Sequence, residues 1–387
     1  MVKAIKVMLI PNNVQKTKMF QYAGASRFAY NWALAREIEN YEKGGKFLSD
    51  AELRKEFTKL RHSDEYAWLL NISNNVTKQA IKDACTAYKN FFRGLQKFPR
   101  FKSKKRSMPK FYQDNVKIQF SNTHVKFEGF SSSRKANKQK MNWVRLAEHG
   151  RIPTDVKYMN PRISFDGLNW WISVCVEFPD CRETLNDDGV GIDLGIKDLA
   201  ICSDGTKYKN INKSQKVKKL EKQKRRLQRS ISRSYEKNKK GESYCKTNNV
   251  IKKEKLLLKR NHRLTNIRKN YLNQTISEII NRKPRFICIE DLNVSGMMKN
   301  RHLSKAVQEQ GFFWFRKQLE YKCSDKGIQL IVADRFYPSS KLCSCCGNIK
   351  KDLKLSDRVY RCECGNMIDR DFQASINLKT YGEKFAS

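Results

Sequence analysis

Near its carboxyl end the chain reads "RCECGNMIDRDFQASINL", residues 361 to 378, which sets Cys362 and Cys364 one residue apart and follows them with Asp369 and Asp371. Upstream stand Cys343 and Cys346 in a C-x-x-C pair, with Gly347 and Gly365 placed to turn the chain past each pair. Four thiolates about 2.3 Å from one Zn²⁺ make a closed tetrahedral site, which is structural because no coordination position is left for a substrate. The C-x-C pair is one residue tighter than the common spacing, and Cys345 is a fifth thiol that could replace a neighbour. A second set of residues is carboxylic. "VGIDLGI" buries Asp193 in an apolar strand, and "RFICIEDL" ends an apolar run on Glu290. A lone buried carboxylate costs several kcal/mol, so each needs a partner. Either could be a strand-end cap or half of an ion pair. With an aspartate from the opening stretch they suit a different chemistry, in which two divalent cations about 4 Å apart activate a water and stabilise the oxygen leaving a phosphodiester. Mg²⁺ prefers such hard oxygen ligands. The five histidines are scattered and no G-x-x-x-x-G-K-[ST] loop occurs, so neither a Ser-His-Asp set nor a phosphate-cradling loop competes.

The elements that must position these residues alternate in period. Residues 3 to 10, "KAIKVMLI", read as a strand stopped by Pro11. A helical region follows, with Phe28, Trp32, Ala35 and Ile38 on one stripe, and Val76, Ala80, Ala84, Tyr88 and Phe91 on another behind Ser73 as N-cap. "KFPRFKSKKR" then interleaves Lys97, Arg100, Lys102, Lys104, Lys105 and Arg106 with Phe98 and Phe101, a pattern that could hold phosphates and stack on unpaired bases, or be a solvated loop. From about 112 to 180, "VKIQF", "HVKF", "RISF" and "WWISVCVEF" alternate as strands of a sheet or small barrel. If the first strand joins them, the helical block is an insertion. Beyond the polar boundary at 184 to 189, "VGIDLGIKDLAICSDGTKY" reads as two strands and a tight turn. Residues 213 to 263 read as two basic helices joined near "NKKGES".

The chain carries 79 Lys+Arg against 39 Asp+Glu, a formal charge of +40, which is the footprint of a polyanion-binding protein. The basic helices hold 20 Lys/Arg against 4 Asp/Glu, with Lys224, Arg225, Arg226 and Arg229 the densest group, and would repel themselves without a bound anion. No apolar run approaches the roughly 20 residues that span a bilayer, which excludes a membrane partner. Lys6 and Pro11 break the amino terminus, so it does not read as a secretion signal. A reducing, cytoplasmic location follows, in which the twelve cysteines are thiols or metal ligands and not disulfides.

The order strand-Asp, strand-Glu, helix-Asp resembles the RuvC type of RNase H-like nuclease. More specifically, "GIDLGIKDLAI", "IEDLNVSGM" and "DRDFQASINL", with "SSKLCSCCG", "YRCECG", "SRFAYNWALA" and "YKNFFR…FPRFKSKK", resemble the TnpB family of insertion sequences, related to type V CRISPR effectors and Fanzor proteins. The resemblance covers nearly the whole chain. It implies a multidomain α+β and α/β fold: a wedge β-barrel from 1–13 and 106–183, a helical recognition domain at 14–105, a RuvC-like nuclease at 184–340 and 367–387 with basic helices 213–282, and a zinc ribbon inserted at 341–366. It implies an RNA-guided DNA endonuclease of a prokaryotic cytoplasm, associated with the nucleoid and acting as a monomer. The guide RNA comes from the transposon end, the target is double-stranded DNA beside a short motif, and two Mg²⁺ and one structural Zn²⁺ serve as cofactors. Within "DRD" the family pattern assigns the catalytic role to Asp371, two before a position usually held by Asn and here by Gln373; Asp369 is the alternative, since two residues two apart on a helix point roughly 200° from each other. The expected catalytic and Mg²⁺ ligands are thus Asp193, Glu290 and Asp371, and the Zn²⁺ ligands Cys343, Cys346, Cys362 and Cys364. Two other readings compete: a guided repressor that binds without cutting, which the complete carboxylate set argues against, and a transposase, which would have to join strands.

Overall fold

The computed structural model describes residues 1–130, 141–179, 182–354 and 357–386. The chain divides into two compact units, Met1–Pro179 and Asp180–Ser387.

The first unit is built on β1 (Val2–Ile10), which pairs antiparallel with β7 (Trp170–Glu177) along its length and with β5 (Trp143–Leu146) at its end. With β2 (Lys110–Tyr112), β3 (Gln119–Phe120), β4 (His124–Lys126) and β6 (Tyr158–Phe165) this gives a seven-stranded sheet of order β2-β6-β7-β1-β5-β4-β3. The helical block is therefore an insertion between β1 and β2. β2 and β5 are three and four residues long, too short for alternation to reveal. Helix α1 (Asn13–Glu42) starts at a capping box in which Asn12 Oδ1 accepts from the Gln15 N–H while Gln15 Oε1 accepts from the Asn12 N–H. Gln15 also donates to the Met141 and Trp143 carbonyls at 3.1 and 2.8 Å, which ties the helix start to the sheet. α1, α2 (Asp50–Arg61) and α3 (Asn74–Phe92) share one core with the sheet, centred on Tyr22 between Phe111 and Phe130. Phe28, Trp32 and Ile38 pack against it, but Ala35 faces solvent. Ser73 is the N-cap of α3, yet its hydroxyl donates to Glu128 and makes no cap bond.

The second unit holds a five-stranded sheet of order β10-β9-β8-β13-β14. β8 (Val190–Leu194), β9 (Asp198–Cys202) and β10 (Lys207–Lys209) form an antiparallel meander, so the two strands expected there are three. β13 (Phe286–Glu290) lies parallel between β8 and β14 (Gln329–Ala333). The basic helices are α4 (Gln215–Lys237) and α5 (Asn248–Asn281), joined through a hairpin of β11 (Lys239–Lys240) and β12 (Ser243–Tyr244). Short helices α6 (Val294–Met297) and α7 (Ser304–Gln310) lead to α8 (Phe312–Lys326), and β15 (Val359–Arg361) and β16 (Met367–Asp369) precede the last helix, α9 (Arg370–Phe385). Alternation along the strands separates the faces. Ile192, Ile287 and Ile289 pack with Leu272, Ile276 and Ile279 of α5 and Phe312, Phe315 and Leu319 of α8. Phe286 and Cys288 pack with Leu378 of α9. Among the described residues no helix is long and apolar enough to cross a membrane.

Candidate active site

The same alternation places the carboxylates. Asp193 shares a face of β8 with Gly191, and Glu290 shares a face of β13 with Phe286 and Cys288, so both belong to the side covered by α9. The parallel register Cys288↔Gly191 and Ile289↔Ile192 makes Glu290 the next residue opposite Asp193. Gly191 is what lets α9 approach. A Cβ at that position would stand 2.0 Å from the Ser375 carbonyl oxygen and 2.4 Å from the Lys379 nitrogen, both backbone atoms of α9. The first turn of α9 then delivers Asp371.

Electrostatics couples the three. Burial raises the Asp193 carboxyl well above the ordinary aspartate value, and the charges of Glu290 and then Asp371 raise it further, against the pull of Arg370. Burial also raises Glu290, with Asp371 adding to it, while the Ser339 hydroxyl and Arg370 oppose. Two buried carboxyl groups that hold their protons, because burial and neighbouring negative charge both disfavour ionisation, with the Asp371 carboxylate beside them, are a donor set suited to a hard divalent cation, which would offset that repulsion. Asp371 is half-buried, with Arg358 and Arg370 at 3.8 and 3.9 Å. Asp369 is occupied differently: it is the N-cap of α9, its carboxylate accepting from the N–H groups of Asp371 and Phe372 at 3.1 and 3.0 Å. The two aspartates therefore do not sit on one helix 200° apart, because Asp369 precedes its first turn.

A clamp joins this site to the cysteines. Gln373, fully buried, donates to the Leu342 carbonyl at 2.8 Å and accepts from Asn366 at 3.0 Å. Asn377 donates to the carbonyls of Ser339 and Leu342, both at 2.7 Å. Ser339 in turn donates its hydroxyl to Glu290 Oε1. One helix thus carries Asp371, grips the segment 339–342 that orients Glu290, and fixes the residue next to Cys343. A recess of about 520 Å³ lies beside Glu290, edged by Asp291, Asn293, Arg335 and Ser339.

The sulfur atoms of Cys343, Cys346, Cys362 and Cys364 lie within 4.8 Å of one another. Cys343 and Cys364 are 3.6 Å apart and Cys346 and Cys362 3.5 Å, against about 3.8 Å for ligands placed tetrahedrally around zinc. Cys345 is exposed and outside the cluster, so the compact C-x-C pair supplies both of its sulfurs. Gly347 and Gly365 turn the chain at φ of 75° and 89°, their N–H groups donating to the carbonyls of Cys343 and Cys362. Burial raises the Cys343 thiol, but N–H donation from Cys346 and the amide of Asn366 outweigh it and hold the group down to about 6, whereas for Cys346 and Cys364 N–H donation from Asn348 and Asn366 is outweighed by the neighbouring cysteines, which raise both and push Cys364 up to about 12.

The ten basic candidates divide into two groups. Lys97, Arg100, Lys104, Lys105 and Arg106 are exposed on the loop after α3, but Lys102 turns inward, its Nζ 2.9 Å from the centre of the Tyr30 ring, and burial lowers it to about 7. Arg225, Arg226 and Arg229 project from α4 into a cleft of about 630 Å³, while Lys224 is half-buried with Glu221 at 3.4 Å. Sequence reasoning missed Ser339 and the clamp made by Gln373 and Asn377. Gly191 carried a signal, a glycine inside an apolar strand.

Three family models match the chain: "Helix-turn-helix domain" over residues 1–46, "Probable transposase" over 173–301 and "Cas12f1-like, TNB domain" over 312–378. The "Putative RNA-guided DNA endonuclease InsQ" of Escherichia coli (strain K12) is 30% identical, over 93% of this chain and 87% of its own. A "Putative RNA-guided DNA endonuclease" of Streptomyces pristinaespiralis is 28% identical, over 98% and 89%. Among solved structures, Cas12f1 in complex with its sgRNA and target DNA superposes with a TM-score of 0.58 over 98% of both chains at 11% identity, a likeness of fold.

Proposed function

The chain belongs to the TnpB family, and from that premise we propose that it is an RNA-guided DNA endonuclease of an insertion sequence, working in a prokaryotic cytoplasm on nucleoid DNA. In this reading the first unit is a wedge-like barrel (1–13 and 106–183) with an inserted recognition domain (14–105) that holds a transposon-end guide RNA and reads a short motif beside the target. The second is a RuvC-like nuclease (184–340 and 367–387, basic helices 213–282) interrupted by a zinc ribbon (341–366). Guide pairing supplies the remaining specificity.

Asp193, Glu290 and Asp371 would hold two Mg²⁺, which when bound supply an activated water and stabilise the leaving oxygen of the phosphodiester. The residues of the chain prepare that site. Ser339 engages one oxygen of Glu290, which leaves the other for a ligand role. Asp369 engages its carboxylate at the helix end, as a cap and not as a ligand. The four cysteines would bind one structural Zn²⁺, and Gln373 and Asn377 would transmit the ribbon's position to residues 339–342. Lys97, Arg100, Lys104, Lys105, Arg106, Arg225, Arg226 and Arg229 would neutralise phosphates, with Lys102 and Lys224 contributing less from their tied positions.

The observation that carries this reading is the register of β8 and β13 under α9, which sets Asp193 beside Glu290 with Asp371 close enough to perturb both. Sequencing the RNA that copurifies with the protein tests it. A discrete transcript running from the transposon end into flanking sequence is expected. Bulk cellular RNA with no such species would contradict a guided mechanism.

A further inference from the structure

The first unit contains a cleft of about 770 Å³ between α1 and the end of the basic loop. Its floor is apolar. Phe20 meets Phe165 edge to face at 5.1 Å, keeps 44% of its surface exposed, and is joined by Met108 at 67%. Its rim is cationic, formed by Arg27, Lys104, Lys105 and Arg106. Among the described residues none of these four is paired with a carboxylate. Among the described residues the single acid in the lining, Asp166, already accepts from the Trp171 indole and from the N–H groups of Leu168 and Asn169. Gly24 lines the cleft from within α1, where glycine is disfavoured in a helix. A Cβ there would meet nothing within 4 Å, so packing does not call for glycine; its smallness keeps the cleft open.

An aromatic and thioether floor beneath a row of unpaired cations matches one ligand chemistry, a flat base attached to an anionic backbone. A base inside a duplex has both faces covered by its neighbours and cannot reach the floor. The cleft beside α4 offers the contrast: among the described residues it gathers Arg225, Arg226 and Arg229 but no aromatic ring, and suits phosphates alone. We propose that the cleft of the first unit receives an unpaired nucleotide of the bound nucleic acid, its base against Phe20 and Met108 and its flanking phosphates on Lys104, Lys105, Arg106 and Arg27. This rests on the nucleic-acid reading of the whole chain and adds to it a site for a base taken out of any helix.

The test uses the full chain, freed of copurified RNA, and a short labelled oligoadenylate in RNA and in DNA form, with a blunt duplex of the same length as competitor. Phe20→Ala and Gly24→Leu should each weaken binding about tenfold, with the dependence on salt unchanged, because they alter the base contact only. Lys105→Ala should lower the slope of log affinity against log salt by about 0.7, the signature of one lost phosphate on a single strand. 2-Aminopurine placed in the oligonucleotide should be quenched by the unaltered protein and not by Phe20→Ala. Whichever form binds tighter identifies the strand that supplies the nucleotide. Melting curves report folding, and Gly24→Leu carries the test if Phe20→Ala is unstable. Unaltered affinity in both variants, or equal displacement by duplex, overturns the proposal. Guide-dependent cutting by the same preparations separates the two levels: cutting intact with oligoadenylate binding insensitive to both variants sinks the cleft alone, while an unaltered protein that cuts without a guide sinks the larger reading.

Discussion

Gly191→Ala tests how α9 is seated. The added Cβ would lie 2.0 Å from the Ser375 oxygen and 2.4 Å from the Lys379 nitrogen, where 3.0 Å is the shortest separation real Cβ atoms show, so helix and strand must part by at least 3.0 − 2.0 = 1.0 Å. No side chain can swing away, because both obstacles are backbone. Overpacking of this kind costs about 1–3 kcal/mol, which for a unit of this size lowers the melting temperature by roughly 2–12 °C. The effect on chemistry should be larger than the effect on folding. Asp371, the proposed catalytic residue, stands one turn before Ser375 on the helix that moves, and a displacement of about 1 Å in a catalytic group costs about 10²-fold in rate. Single-turnover cleavage of a matched duplex by guide-loaded protein, beside filter binding of the same duplex, should show a loss of about two orders of magnitude with binding retained. Cleavage at the unaltered rate in folded Gly191→Ala would refute the idea that close contact of α9 with β8 positions Asp371.

Asp193→Ala, Glu290→Ala and Asp371→Ala should each abolish cleavage while guide-directed DNA binding survives in a gel-shift assay, since each removes a proposed metal ligand and little basic surface. Asp369→Ala should lose about 1 kcal/mol of stability with its helix cap yet still cut; an inactive Asp369→Ala beside an active Asp371→Ala would reverse the assignment. Metal analysis should find about one zinc per chain, and Cys343→Ser or Cys362→Ser should lower both melting temperature and activity, because zinc binding is coupled to local folding; fully folded, active protein without zinc would remove the ribbon from the account. Asp193 and Glu290 hold their protons above the ordinary carboxylate range, so cation-free protein should lose stability as pH rises through that range and beyond, up to their native values. Binding a cation displaces those protons, so Mn²⁺ affinity measured by calorimetry should climb over the same interval and then level off, whereas a flat profile from acidic to neutral buffer would contradict the coupling.

What the sequence made legible were costs visible within a few residues. Asp193 and Glu290 stood out because a carboxylate in an apolar strand needs a compensating partner, and the cysteine spacing announced its own geometry. Contacts across long stretches of chain left no such trace. Ser339 bonds Glu290 from 49 residues away, Ser73 bonds Glu128 from 55, and Gln373 reaches Leu342 across 31. Lys102 read as a surface cation because composition cannot tell that its amine lies over the Tyr30 ring. The third strand of the meander, Lys207–Lys209, is shorter than the window in which alternation can be recognised. The cap at Asp369 was within reach, because an aspartate ahead of an apolar-periodic segment is a local helix-start signal.

The carboxylate site should cut only what a bound RNA selects. The most direct measurement is cleavage by RNA-free protein of two duplexes, one complementary to an added guide beside the adjacent motif and one scrambled, with and without that guide, in Mg²⁺ and in chelator. Cutting of the complementary duplex alone, and only with guide and Mg²⁺ together, is the expected result. Equal cutting of both duplexes without RNA, or cutting that persists in chelator, would contradict it.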